Sequence, residues 1–173
     1  GVSAVRLDLL DLVAATDAAR EQSTPAILDV ATARLKTDRD QLFGAPEAVG
    51  REILAGAYPH KQRSLLATAV RLGMPATVHV AIGTDIVHMH PACDPAALGR
   101  ATHFDFRLFA GQVAELGGGG VYLNVGSAVL LPEVFLKAVT LARNLGHELV
   151  DFSTANLDFI QSYRPNTNVV QRP

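Results

Sequence analysis

Along the first third of the chain, apolar residues recur at three- and four-residue intervals. Val5, Leu9, Leu12 and Val13 form one such stripe between Ala4 and Arg20, the spacing that gives an amphipathic helix a single apolar face. Pro25 to Leu35 predicts a second helix, with Pro25 placed to start it and Ile27, Leu28, Val30 and Leu35 as its apolar contacts. Pro46 to Ala57 and Pro59 to Leu72 predict two more, the last closed by Gly73. None of these segments brings chemistry-bearing residues together.

From Pro75 the period shortens and then alternates. Thr77 to Ile82 is rich in β-branched residues and bounded by Met74-Pro75 and Gly83, the pattern of a buried parallel strand. Asp94-Pro95 predicts a short helical turn, and Thr102 with Asp105 resembles a capping box for a helix running through Glu115. Val121 to Val125 predicts a second strand and Glu133 to Leu145 a helix started by Pro132. In that helix Glu133 lies near the positive end and Arg143 near the negative end. Leu149 to Phe152 predicts a third strand. Strands alternating with helices through short loops imply an α/β fold, a parallel sheet covered by helices on both faces, with a helical N-terminal third. A single domain is expected, residues 1–60 mostly helical and residues 61–173 forming the α/β part.

Charge and composition narrow the partners. Fifteen Lys and Arg stand against seventeen Asp and Glu, a formal charge of −2, so the basic surface that nucleic acid requires is not expected. The longest uncharged run, Leu116 to Pro132, is too short and too polar for a membrane span. Cys93 is the lone cysteine, which rules out an intramolecular disulfide and favours a reducing, cytoplasmic location.

Ligands of open α/β sheets sit beyond the carboxyl ends of the strands. That rule selects Gly83-Thr84-Asp85, Gly126-Ser127-Ala128 and Ser153-Thr154-Ala155-Asn156. Small residues between a strand and a helix let backbone N–H groups approach a phosphate, although Gly126-Ser127-Ala128 lacks the full dinucleotide fingerprint. His88 and His90, two apart, would share one side of an extended stretch and could hold an anion or exchange a proton. With Asp85 they are also the start of a metal set for a hydrolase, lacking a defined third or fourth ligand. Arg164-Pro165 lies past the last strand, where an arginine can clamp a phosphate or carboxylate. Cys93 as a nucleophile beside His90 is a weaker expectation, and His79 reads as a satisfied core histidine.

Several pieces, in order, resemble one known group. They are the Ser64 to Ala69 helix with Met74-Pro75, then Ala81-Ile82-Gly83-Thr84-Asp85, and Asp105-Phe106-Arg107-Leu108. Leu123 to Ala128, Phe152-Ser153-Thr154-Ala155-Asn156 and Arg164-Pro165 follow. This set is similar to the deoxyhypusine-synthase-like branch of the NAD/FAD-binding fold, over about Ser64 to Pro173, and within it to an uncharacterised bacterial group. The resemblance implies a Rossmann-like sheet and bound NAD, with Asp85 and the Thr154 to Asn156 loop among its contacts. It also implies a small-molecule substrate and a homo-oligomer, dimer or tetramer. The family's imine-forming lysine falls at Pro173, beside Arg172, and an arginine stays protonated and cannot form the imine. The chemistry that remains is an NAD-linked step with His88 or His90 as acid and base, with a metal-assisted hydrolase or a non-catalytic binding domain as alternatives.

Overall fold

A computed structural model describes residues 43–173. The helices expected at Ala4 to Arg20 and Pro25 to Leu35 lie outside the described residues. Two compact units are distinguished, and the division falls between Asp105 and Phe106. Among the described residues the architecture is mixed α/β, with a two-stranded parallel sheet in the second unit.

In the first unit, α1 spans Ala45–Ala55 and α2 spans Leu65–Leu72. The single helix expected from Pro59 is broken: a short 3-10 turn at Lys61–Arg63 precedes Ser64, whose Oγ accepts the N–H of Ala67 and caps α2. Ala48, Ile53, Leu66 and Ala67 are buried. A second 3-10 turn occupies Ile86–Met89. Helix α3 then runs from Pro95 to Ala114 without interruption, its residues up to Asp105 belonging to this unit and those from Phe106 to the second, and is capped by Asp94 Oδ1, which accepts from Ala96 N–H at 2.9 Å and Ala97 N–H at 3.1 Å. Thr102 and Asp105 are therefore interior to this helix and do not start one.

Residues Thr77 to Ala81, expected as a strand, carry no regular secondary structure, Ile82 lies in a turn, and the segment joins no strand among the described residues. The donors a ladder would need are taken by side chains of α3. Val80 N–H donates to Thr102 Oγ1 at 2.9 Å, Val78 N–H donates to Asp105 Oδ2 at 3.3 Å, and Thr102 Oγ1 returns a bond to Val78 O at 3.3 Å.

The second unit is a strand, helix, strand sequence: β1 Val121–Val125, α4 Leu130–Asn144, β2 Ser153–Leu157. The strands pair in parallel, Val121 opposite Ser153 through Val125 opposite Leu157. The third strand expected at Leu149 to Phe152 is displaced by four residues. Gly118 and Gly119 N–H groups bind the carbonyls of Val150 and Asp151, and Asp151 has φ 56°. That left-handed residue ends any extended run, so pairing begins only at Ser153. Helix α4 presents Pro132, Phe135, Ala138, Val139 and Ala142 on one buried face. Phe135 is fully buried and stacks on Tyr122 of β1 with ring centroids 3.7 Å apart.

Alternate residues of β1 part company. Tyr122 and Asn124 are buried, whereas Val121, Leu123 and Val125 are more than half exposed. Among the described residues, the expected cover of helices on both faces is thus seen on the α4 face of the sheet. After β2, the helical turn α5 at Tyr163–Pro165 leads into a wider π-helical turn, Asn166–Gln171. Val169 is fully buried there, and Arg172 N–H reaches Thr167 O five residues back.

Candidate functional site

The carboxyl end of β1 meets the start of α4 through Gly126-Ser127-Ala128. Gly126 has φ 64°, a conformation glycine adopts without penalty and which turns the chain sharply towards the helix. Ser127 is buried, and its Oγ accepts the N–H of Leu131 at 3.2 Å, satisfying one of the first-turn donors of α4. Among the described residues the N–H groups of Ala128, Val129 and Leu130 meet no acceptor. These donors lie at the positive end of a fifteen-residue helix.

Beneath this turn lies an amide chain. Asn124 and Asn156 are direct partners in the sheet register. Asn124 Nδ2 donates to Ser127 O at 2.9 Å and to Asn156 Oδ1 at 2.7 Å. Asn156 Nδ2 donates to Gln161 Oε1 at 2.8 Å, and Gln161 Nε2 to Asp158 O at 3.3 Å. The orientation of Asn124 follows from chemistry, because Ser127 O can only accept. Its own Oδ1 is left buried with no hydrogen-bond partner, at a cost of about 1–3 kcal/mol for such a group.

Asn124 was not among the residues singled out from the sequence. Its signal was there: in a strand of alternating exposure it occupies the same inward phase as Tyr122. Asn156 was identified, though as a loop residue. Ser153 to Asn156 instead form most of β2, and the loop past the strand is Asp158 to Ser162. Ser153 is exposed and Thr154 and Ala155 are half-buried strand residues, so of the four only Asn156 joins the amide chain. Arg164 sits in α5, where its Nε lies 3.4 Å from Glu133 Oε1. Glu133 also accepts from Asn168 Nδ2 at 2.9 Å. The expected arginine clamp is thereby engaged by a carboxylate of this chain.

The remaining candidates belong to the first unit. The stretch from Asp85 to His90 is not extended. Asp85 caps the Ile86–Met89 turn, accepting Val87 N–H at 3.3 Å, and His88 Nδ1 accepts Gly83 N–H at 2.9 Å and Asp85 N–H at 3.3 Å. His90 Nδ1 accepts Ala92 N–H at 3.2 Å. The shared side expected of the two histidines therefore does not arise, because a turn and not a strand separates them. Thr84 Oγ1 donates to Ala81 O at 2.7 Å, closing the same loop. No group of three or more metal-ligating side chains occurs among the described residues. Cys93 is a half-buried free thiol.

Two groups of the first unit have shifted protonation. Burial pushes the carboxyl of Asp105 up to about 7, against the lowering by bonds from Val78 and Ala45 N–H, with a small further rise from Glu47. Its Oδ2 accepts Ala45 N–H at 3.1 Å as well as Val78 N–H, while Oδ1 is buried without a partner. Burial lowers His79 to about 4, and its Nε2 lies 3.1 Å from Thr77 Oγ1. Neither belongs to the turn above β1. No helix among the described residues is long and apolar enough to cross a membrane. Compared with protein-family models, with curated proteins and with solved structures, the chain matches none.

Proposed function

We propose that this protein binds a nucleotide, NAD in particular, at the Gly126 to Leu130 turn. One observation carries the reading: unpaired N–H groups at the start of α4 stand above a buried, unpaired carbonyl of Asn124. The helix amides and their dipole suit a pyrophosphate. An acceptor in search of a donor, with Asn156 beside it, suits a ribose hydroxyl once the turn admits the ligand. The strand, helix, strand unit beneath is the arrangement in which such ligands lie beyond the strand ends. The Rossmann-like fold and the NAD preference come from the resemblance of Leu123 to Ala128 and Phe152 to Asn156.

Bound NAD would supply hydride acceptance. A metal-assisted hydrolase lacks a specific supporting observation.

The test is calorimetric titration of the full chain with NAD, ADP-ribose and inorganic phosphate, repeated on Ala128→Asp. Ala128 is exposed, and a carboxylate at a helix start is tolerated or favourable for folding while repelling an anion. Binding of NAD and ADP-ribose, lost in Ala128→Asp with melting unchanged, is the expected result. Absence of binding at millimolar NAD, or equal binding by the variant, overturns the reading.

A further inference from the structure

The carboxyl end of β2 carries two side chains that the fold leaves unused. Leu157, its last residue, accepts Gly126 N–H through its carbonyl at 2.9 Å, so the chain leaves β2 directly beside the turn above β1. The next two residues are Asp158 and Phe159. Asp158 is half-buried, and among the described residues its carboxylate meets no donor or cation. Phe159 stands at 106% exposure, more than any other large apolar side chain described, although phenylalanine is ordinarily among the most buried residues. The loop that holds the two is fixed by bonds. Gln161 Nε2 donates to Asp158 O at 3.3 Å, and Gln161 Oε1 accepts from Asn156 Nδ2 at 2.8 Å.

We propose that the Asp158 to Gln161 loop is an adenosine subsite, in which Phe159 stacks on the adenine and the Asp158 carboxylate accepts the two hydroxyls of its ribose. The inference rests on nucleotide binding at the Gly126 to Leu130 turn and adds where the nucleoside lies. An ionised carboxylate only accepts hydrogen bonds, so it fits a ribose diol and repels a 2′-phosphate. The site therefore takes NAD in preference to NADP. Every base presents a π-face, and an aromatic ring left in water gains by covering it. Phe159 lies two residues from Leu157, at most about 8 Å along the chain. That reach is short enough for one ligand to touch the loop and the turn together. Ile160, the next residue, is also strongly exposed, which keeps the surface offered to the base apolar.

The chain contains no tryptophan, which makes Phe159→Trp a single-reporter variant at the position in question. The full chain carrying it is titrated with ADP-ribose, NAD and inorganic phosphate, followed by fluorescence and by calorimetry. ADP-ribose and NAD should quench the new indole over the same concentrations at which heat is released, and phosphate should leave the emission unchanged. Phe159→Ala should weaken ADP-ribose binding about 10-fold, the loss of one stacked base, with melting unaltered because the ring lies outside the core. NADP should bind the native chain at least ~10-fold more weakly than NAD, and Asp158→Ser should close most of that gap. ADP-ribose that binds by calorimetry without altering the emission, or that binds Phe159→Ala as tightly as the native chain, overturns the subsite and leaves nucleotide binding at the turn standing. Equal binding of NAD and NADP by the native chain overturns the part given to Asp158. If none of these compounds binds, nucleotide binding at the turn fails and the subsite fails with it.

Discussion

Each unit fixes a stretch of non-helical backbone with a buried polar side chain, but the two use different chemistry. In the first, the carboxyl of Asp105 holds the start of α1 through Ala45 N–H and the irregular segment at Val78 through Val78 N–H. Gly44 is required beside it, because a Cβ there would collide with the Asp105 carboxyl. In the second, the neutral amide of Asn124 ties the turn before α4 to β2 through Ser127 O and Asn156. Both leave one oxygen buried and unpartnered. An amide pays the same cost at every pH, whereas a carboxyl can shed its charge, so only the first unit's tie should depend on protons.

The largest effect expected is therefore in the pH dependence of Asp105→Asn. Between about 4 and 7 the folded state keeps the Asp105 proton that the unfolded chain has lost, so this group alone makes stability fall as pH rises. His79 works in the opposite sense: between about 4 and 6.5 the unfolded chain holds a proton that the folded state refuses, so stability rises with pH. In the native chain the two nearly cancel from 4 to 6.5, and a net fall remains only towards 7. Asp105→Asn should uncover the histidine's rise, up to ~3 kcal/mol across that window at about 1.4 kcal/mol per unit. His79→Gln should uncover the opposite fall. Urea unfolding at four pH values from 4.5 to 7.5 checks both, and a profile in Asp105→Asn that matches the native one would remove the carboxyl from the comparison.

A smaller effect, about 2 kcal/mol, is expected for Asn124→Ala, which deprives Ser127 O and Asn156 Oδ1 of their donor. Its size should be the same at pH 5 and pH 8. If the loss grows with pH, a titrating group is coupled to the amide chain and the contrast between the units fails.

The difference between the units also explains what could be read from the chain. β1 and α4 were legible because their patterns were strong: β-branched residues between glycines, then buried positions at three- and four-residue spacing. β2 was misplaced because Leu149, Val150 and Phe152 look more like a strand than Ser153 to Asn156. Their backbone is instead claimed by Gly118 and Gly119, a contact across some thirty residues that local pattern does not encode. The strand expected at Thr77 to Ile82 does not form for a similar reason, since Thr102 and Asp105 take its donors from α3. Thr102 and Asp105 resembled a helix start because residues that bond backbone N–H groups at a cap can also do so at a distance. At the candidate site, Gly126 and Ser127 were legible from small-residue spacing. Asn124 was not, because its importance lies in a partner thirty-two positions away.

The smallest effect separates local capping from the buried ties. Ser64 and Ser127 perform the same task in different units, the first accepting Ala67 N–H and the second Leu131 N–H, both at 3.2 Å. Neither hydroxyl titrates, so Ser64→Ala and Ser127→Ala should each cost about 1 kcal/mol, independent of pH. Equal losses would show that the pH contrast belongs to Asp105 and not to the first unit as a whole. Ligand should then break the equality. NAD at saturation raises the melting temperature of any folded form that binds it, and the turn that Ser127 orders is the proposed pyrophosphate site. Ser64→Ala should keep the full NAD-induced shift, while Ser127→Ala should lose part of it. Equal shifts in the two variants would mean that the order Ser127 gives to the first turn of α4 serves the helix alone.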